Sequence, residues 1–325
     1  MIDTLLIALD NRLERITYPR RQWPVAILLL LPSFVILSLF HFLPLLYAIA
    51  LSFTGGRHGR GGWVGAGNYV EAARGSAFWN STLVTGYYAA GVVPLGILLS
   101  LCIALGLHRL PRGQSILRAA FFLPYVTSIA AAAMVWRALY NGQGGLFNAV
   151  LQRAGFPAQQ WLLEPRGVLH ILTGGQVDPD VGPSLALCCI MLFDIWHGSG
   201  FMVVILLTGL SAIPREFEEG AQLDGASALQ TARHITIPLL SSTLLFLATI
   251  GIAGAFQAFT SFFALSPGGG NALGTTENLM LHLYANFYEY GYWGYGCAVA
   301  VIISVLISFL ALLQWRLARS RVFYQ

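Results

Sequence analysis

Apolar residues run along this chain in long stretches, each closed by a cluster of Arg, Gly or Pro, with none of the alternation that marks a half-buried strand. A helix needs roughly 20 apolar residues to cross a hydrocarbon layer about 30 Å thick. Six stretches reach that length, at about 24–53, 81–107, 116–139, 185–212, 237–263 and 295–315. The pattern predicts an all-α integral membrane protein with six transmembrane helices in a single domain, 24–315. Ahead of the first, Ile2, Leu5, Leu6, Leu9, Leu13 and Ile16 recur at spacings of three and four. That spacing predicts an amphipathic helix over 1–23, which either lies on the membrane or docks on a partner subunit. A short tail, 316–325, follows the last crossing. The first crossing carries Pro24, Pro32 and Pro44, and Ala48 and Ala50 sit as in a signal-peptidase site. Its apolar run far exceeds the roughly 7–15 residues of a signal sequence, so the expectation is an uncleaved anchor.

Composition agrees: 56% of residues are hydrophobic and only 10% charged, against about 25% charged in soluble domains. All 18 basic residues are Arg. Without Lys there is no Schiff-base chemistry and no phosphate-binding P-loop, which needs Gly-Lys-Ser/Thr. No basic patch interleaved with aromatics suggests nucleic acid as a partner. Cys102, Cys188, Cys189 and Cys297 lie in apolar stretches without metal-ligand spacing and read as small packing groups. Twelve Arg fall before the first helix, in the second and fourth connections and after the last helix; six are spread over the longer loops opposite. Positive residues of short loops stay cytoplasmic, so both termini are expected there, along with the 213–238 loop.

That loop breaks the local trend, with Glu216, Glu218, Glu219 and Asp224 against Arg215 and Arg233. An acidic loop is repelled by anionic lipid, which points to a protein partner. Pro214 can open a helix whose first turn holds the acids, Asp224-Gly225 supplies a turn, and Ser227 can cap a second short helix limited by Pro238.

The segment resembles the cytoplasmic EAA loop of permease subunits in binding-protein-dependent ABC importers: Glu-Ala-Ala, three residues, Gly, nine residues, then Ile-x-Leu-Pro. Here the match is Glu219-Gly220-Ala221, Gly225 and Ile235-Thr236-Ile237-Pro238 at the same spacing, with Gly for the first Ala and Ile for Leu. Stretches 121–148, 193–201 and 266–301 are similar to the carbohydrate-uptake branch, the maltose, lactose and glycerol-phosphate type; residues 160–183 are longer than expected for it. The resemblance implies a transport subunit of a bacterial inner-membrane importer that is not itself an enzyme. It would pair with a second homologous permease, a dimeric ATPase holding ATP and Mg²⁺, and an extracytoplasmic solute-binding protein. In it, Glu218, Glu219, Gly220, Ala221, Asp224, Gly225, Ile235 and Pro238 would couple to the ATPase. This chain would bind no cofactor and no metal.

For the cargo, Asp194 is the one carboxylate placed inside a predicted crossing, with His197 a turn on. An ionisable group there is costly enough to suggest function. By the resemblance, the stretch around Asp194, His197 and Gly198 faces a central cavity that holds sugar hydroxyls; alternatively Asp194 and His197 satisfy each other inside the bundle. In the fifth crossing Gln257, Phe256 and Phe259 are further cavity candidates, while the neighbouring glycines fit either close packing or cavity lining. The aromatics of 284–295 read as an interfacial belt. A di- or oligosaccharide or polyol is the expected cargo. The rivals are a glycerol-3-phosphate or glycerophosphodiester, a proton-coupled secondary transporter using Asp194 and His197, and a membrane scaffold.

Overall fold

The computed structural model describes residues 19–110, 112–266 and 274–318, so the amphipathic stretch ahead of Pro19 and the tail beyond Ala318 lie outside the described residues. Those residues are mostly helical, with isolated bridges at Thr54–Trp63 and Gly167–Ser184 and no strand among them. Helix α1 (Pro19–Leu37) passes through a wide π turn, Ser38–Phe42, into α2 (Leu43–Leu51). A short α3 (Gly67–Arg74) leads to the 33-residue α4 (Ser76–His108). Then come α5 (Gln114–Val126), α6 (Ile129–Leu139), α7 (Leu146–Arg153) and α8 (Val168–Leu172), followed by the 28-residue α9 (Leu185–Ala212). The 213–240 loop carries α10 (Arg215–Leu223), α11 (Ala228–Thr231) and α12 (Ile237–Leu239). Finally α13 (Ser241–Phe256), α14 (Thr260–Leu265), α15 (Leu279–Tyr284) and α16 (Trp293–Ala318) complete the chain.

Among the described residues four helices are long and apolar enough to cross a membrane unaided: Ala26–Leu51, Ser76–His108, Leu185–Ala212 and Trp293–Ala318. Two bent pairs pass the same test together, and counting each as one span makes six. The third was expected as one helix over 116–139; instead α5 and α6 meet at 93°. Thr127 and Ser128 are extended there, and Thr127 returns both its amide and its hydroxyl to the Pro124 carbonyl, at 3.2 and 2.6 Å. The fifth was expected as 237–263. It is bent by 69° at Leu240 and interrupted again at Gln257–Phe259. Pro238 does not limit the loop helix, which runs past it to Leu239.

Why it can do so is visible in the turn before it. Proline has no N–H, and its ring clashes with the carbonyl four residues back. Pro238 is preceded by a π turn, Ala232–Thr236, and Pro44 by Ser38–Phe42 at the same offset. In both, the next amide bonds five residues back, Ile237 to Ala232 and Leu43 to Ser38. The wider ring gives the carbonyl at i−4 room to turn away.

Helices α4 and α9 form the central pair, with Ser100 Oγ donating to the Ser199 carbonyl at 3.2 Å. Around them lie three buried clusters. One gathers Tyr88, Leu187, Ile190, Phe193, Phe262 and Leu265; the next, toward the 213–240 loop, Leu101, Leu107, Leu206, Leu210 and Leu247. The last, against α16, holds Phe78, Phe256, Leu279 and Ile303. Helix α5 crosses α9 at Gly200, where a Cβ would stand 2.1 Å from the Phe121 carbonyl oxygen and 2.8 Å from Phe122 Cα. Only a glycine allows that approach.

The 160–183 segment is pinned to the start of α9. Gly167 N donates to Pro179 O at 2.8 Å, Leu185 N to Arg166 O at 3.0 Å and Ala186 N to Glu164 O at 3.3 Å. Arg166 grips Glu164 with two bonds, Nε–Oε1 2.6 Å and Nη2–Oε2 2.7 Å. That hydrogen-bonded guanidinium holds the Glu164 carboxyl below the ordinary glutamate range, against a smaller opposing effect of burial.

Two outcomes follow. Gly200→Ala should lose about 1–3 kcal/mol by overpacking, seen as a lowered melting temperature in detergent, whereas Gly106→Ala, with nothing within 4 Å of its Cβ, should not. A carboxyl whose folded pKa is depressed stabilises above its unfolded value, about 4.3, and loses that contribution as pH falls through the folded value. Amide protection at Leu185 and Ala186, corrected for intrinsic exchange, should therefore fall in that acid window. Glu164→Gln should be indifferent to it.

Candidate functional site

Two sites follow from this fold. One is the elbow between the fourth and fifth crossings. Pro214 takes the N-cap position of α10 and places Glu216 and Glu218 in the first turn, beside the positive end of the helix dipole. The helix ends in a Schellman motif: Gly225 N donates to Gln222 O at 3.0 Å and Ala226 N to Ala221 O at 2.9 Å. Gly225 has φ 75°, a left-handed conformation that a residue with a Cβ adopts at a cost of about 1–2 kcal/mol. Ser227 then closes a capping box, its hydroxyl accepting from Gln230 N and its amide donating to Gln230 Oε1 at 2.7 Å. Each end at the elbow is closed by its own residues.

The surface of the elbow is mixed. Glu216, Glu219 and Asp224 are exposed, and so are Phe217, Leu223 and Leu229, the last two at 89% and 79%. Ala221 is buried, and Ile235 and Pro238 lie beyond the second helix, where it returns to the bundle. Gly220 has open space about its Cα, so nothing steric demands glycine there. On the bundle side a polar cavity of about 650 Å³ separates the elbow from the connection after α4. Arg215, Glu218, Glu219 and Gln222 line it from one side, His108, Arg109 and Gln114 from the other. That second wall was not foreseen, since nothing in the order of residues links 108–114 to 215–222.

The other site lies inside the bundle. Asp194 and His197 do not pair. Tyr88 Oη on α4 donates to Asp194 Oδ2 at 2.7 Å, and the Ser261 hydroxyl on α14 reaches the same carboxylate. His197 Nε2 lies 3.4 Å from the Thr127 carbonyl at the α5–α6 bend, with Phe193 and Tyr125 rings beside it. Gly198 is half-buried with open space beyond its Cα. Gln257 is exposed and caps α13, while Phe256 is buried in the core cluster against α16. Phe259 stacks on Phe263 at 5.3 Å and meets Tyr284. Of the glycines, Gly251 packs on Val93 and Gly254 faces open space. In the 284–295 belt Tyr288 is exposed, but Tyr295 Oη is 3.1 Å from His282 Nε2, whose Nδ1 is 3.0 Å from Glu277. The structure thus brings Asp194 to Tyr88 and Ser261, neither of which the sequence singled out; both stand on other helices, and only the packing of α4 and α14 against α9 selects them.

A family model described as binding-protein-dependent transport system inner membrane component matches residues 93–321. A trehalose/maltose transport system permease protein, MalF, of Thermococcus litoralis is 30% identical over 80% of this chain and 81% of its own length. An sn-glycerol-3-phosphate transport system permease protein, UgpA, of Rhizobium meliloti is 27% identical over 96% of this chain and all of its own. Among solved structures, a chain of a bacterial ABC transporter involved in the import of the acidic polysaccharide alginate superposes with a TM-score of 0.76 at 18% identity, covering 95% of this chain and 99% of that one.

Tyr88→Phe removes a donor to the carboxylate and keeps the ring contact with Phe262 at 4.8 Å. Interhelical hydrogen bonds in membranes contribute less than those to charged groups in water, so a loss of about 1–2 kcal/mol is expected. Asp194→Asn, still an acceptor, should cost less. Thermal unfolding of the purified variants measures both, and equal melting of Tyr88→Phe and wild type would remove the cluster from the account.

Proposed function

The chain belongs to the family of binding-protein-dependent transport system inner membrane components, and from that premise we propose that it is one half of the translocation pathway of an ATP-driven sugar importer. Its elbow is the contact for a separate ATPase. The observation that carries this reading is the elbow itself: two short helices locked by a Schellman motif and a capping box, with Leu223 and Leu229 held in the open beside Glu219 and Asp224. Apolar side chains kept that exposed by a rigid turn mark a protein interface. The arginine distribution supports a cytoplasmic location for this end of the bundle and for both termini.

On this reading a second permease completes the pathway, a solute-binding protein delivers cargo from outside, and ATP and Mg²⁺ are held by the ATPase dimer. Hydrolysis falls to that partner, because a chain without Lys has no P-loop. Closure of the ATPase pair moves the elbow as a rigid body and, through the bend at Leu240, the fifth crossing. Asp194, His197, Gly198, Gln257 and Phe259 are the groups offered to cargo. Phe256 keeps its part in packing α13 against α16.

A neutral sugar fits the interior better than a phosphate ester. Phosphate is held by Arg, and the interior cluster offers a carboxylate instead, with Arg137 exposed in the last turn of α6. A proton relay through Asp194 and His197 has no support in geometry that gives them separate partners.

Gly225→Pro forces φ to about −65° and deletes an amide that closes α10. In the reconstituted importer with its ATPase and binding protein, sugar uptake should fall by about 5- to 150-fold, the range of coupling free energies of about 1–3 kcal/mol. ATP turnover should no longer rise on addition of loaded binding protein. Glu219→Arg should act in the same direction and Gly220→Ala should not. Unchanged uptake in Gly225→Pro and Glu219→Arg together would end the reading of the elbow as a coupling element.

A further inference from the structure

The 160–183 segment does more than cover the outer ends of α4 and α9. Between it and those helices lies a cavity of about 430 Å³, within the range of about 300–1,000 Å³ found for small-molecule sites. Asn80, Leu83, Val84 and Tyr87 line it from one face of α4 at the i, i+3, i+4, i+7 spacing. The rim supplies Asp180 and the wall opposite supplies Thr275.

Three observations mark it as a built site. Its rim is fixed: Gly167 N to Pro179 O, Val168 N to Pro183 O at 3.1 Å and Asp180 N to Asp178 Oδ1 at 3.0 Å hold the turn that presents Asp180. Asn80 Nδ2 donates to Gly274 O at 2.8 Å, which ties α4 to the Thr275 wall and leaves the amide oxygen as an acceptor. The Thr275 hydroxyl is sealed under this wall without a hydrogen-bond partner, a cost of about 1–3 kcal/mol that a small shift of the wall, turning it toward a ligand hydroxyl in the cavity, would relieve.

We infer that this outer cavity is a subsite for a neutral, hydroxyl-rich ligand, a sugar ring lying against Tyr87, Leu83 and Val84 with its hydroxyls on Asp180, Asn80 and Thr275. The chemistry selects that class. The lining has no Lys, Arg or His to hold an anion, while a carboxylate accepts from two hydroxyls at once and an aromatic or aliphatic wall takes the C–H face. Leu187, in the same lining, is seven residues before Asp194 on α9, so the subsite stands two turns, about 10 Å, nearer the outer end. Cargo released at the outer face meets it before the Asp194 cluster. The inference rests on the sugar-importer reading for its orientation and ligand class, and its test separates the two.

The purified importer, with both permeases and the ATPase in lipid nanodiscs and without binding protein, is titrated with maltose, trehalose, glucose and glycerol-3-phosphate while saturation transfer to the ligand protons is recorded by NMR. Transfer to at least one neutral sugar and none to glycerol-3-phosphate is expected. It should weaken at least fivefold in Asp180→Ala and in Tyr87→Leu, with Asp180→Asn, which keeps an acceptor and the rim, in between. Absence of transfer to every neutral sugar overturns the subsite, as does equal transfer to glycerol-3-phosphate. A signal that survives Asp180→Ala and Tyr87→Leu but vanishes in Asp194→Asn also overturns it, because the ligand then sits in the deeper cluster. Binding-protein-driven uptake by the wild-type assembly, measured in parallel, distinguishes the failures: uptake without transfer sinks the subsite and leaves the importer standing.

Discussion

Hydrocarbon offers a backbone amide or carbonyl no partner, and each interruption of a helix inside the bilayer has to be closed by a group the protein itself carries. The fifth crossing meets that demand most plainly. Where it breaks at Gln257–Phe259, Asn278 reaches across from the start of α15 and donates to the Ala258 carbonyl, while its own Oδ1 accepts from Leu281 N and caps that helix. Thr85 of α4 completes the junction, accepting from Leu279 N at 3.0 Å and donating to Ser81 O at 2.7 Å. Asn278 and Thr85 are wholly buried. The position of α15 against the bundle, and with it the wall that holds Thr275, depends on these two side chains.

The same constraint decides what could be read from the order of residues. Continuous apolar runs announce straight helices, so α4, α9 and α16 lie within a few residues of the expected 81–107, 185–212 and 295–315. A break announces itself only where its chemistry is local. Pro124 and Thr127 are three residues apart and were in plain view in 121–148, yet prolines also sit inside unbroken helices of this chain, Pro94 in α4 among them. What separates them is a tertiary fact: α5 must bring its backbone onto Gly200 of α9 and then turn away. Asn278 and Thr85, nearly 200 positions apart, gave no such local signal.

The elbow was legible because its chemistry is local throughout. Acids in a first turn, a glycine at the left-handed position and a serine three residues before a glutamine are all set by spacings of five or fewer. The lever role proposed for it is a matter of stiffness. The Schellman and capping-box bonds leave neither helix end at the elbow frayed, and the π turn ahead of Pro238 lets the second helix run on to Leu239, so a push on α10 is carried to Leu240 before the chain bends. Had Pro238 broken the helix where the sequence suggested, the displacement would be taken up in the loop and would not reach α13.

Asp194 carries the same reasoning into the interior. Tyr88 donates to its carboxylate and the Ser261 hydroxyl interacts with it, which joins α9 to α4 and α14. An asparagine oxygen could accept both bonds without a charge to bury, so holding the three helices together does not explain the acid. Among the described residues the ion pairs are Glu164–Arg166 and Glu277–His282, and neither reaches Asp194. Two hydroxyl donors without a cation is the arrangement a sugar can imitate, a pair of its own hydroxyls exchanging for those of Tyr88 and Ser261 at equal hydrogen-bond count. On the proposed sugar-importer reading, that exchange would loosen α4 and α14 from α9 as cargo enters, and a carboxylate, with acceptor capacity left over, would suit the position better than an amide.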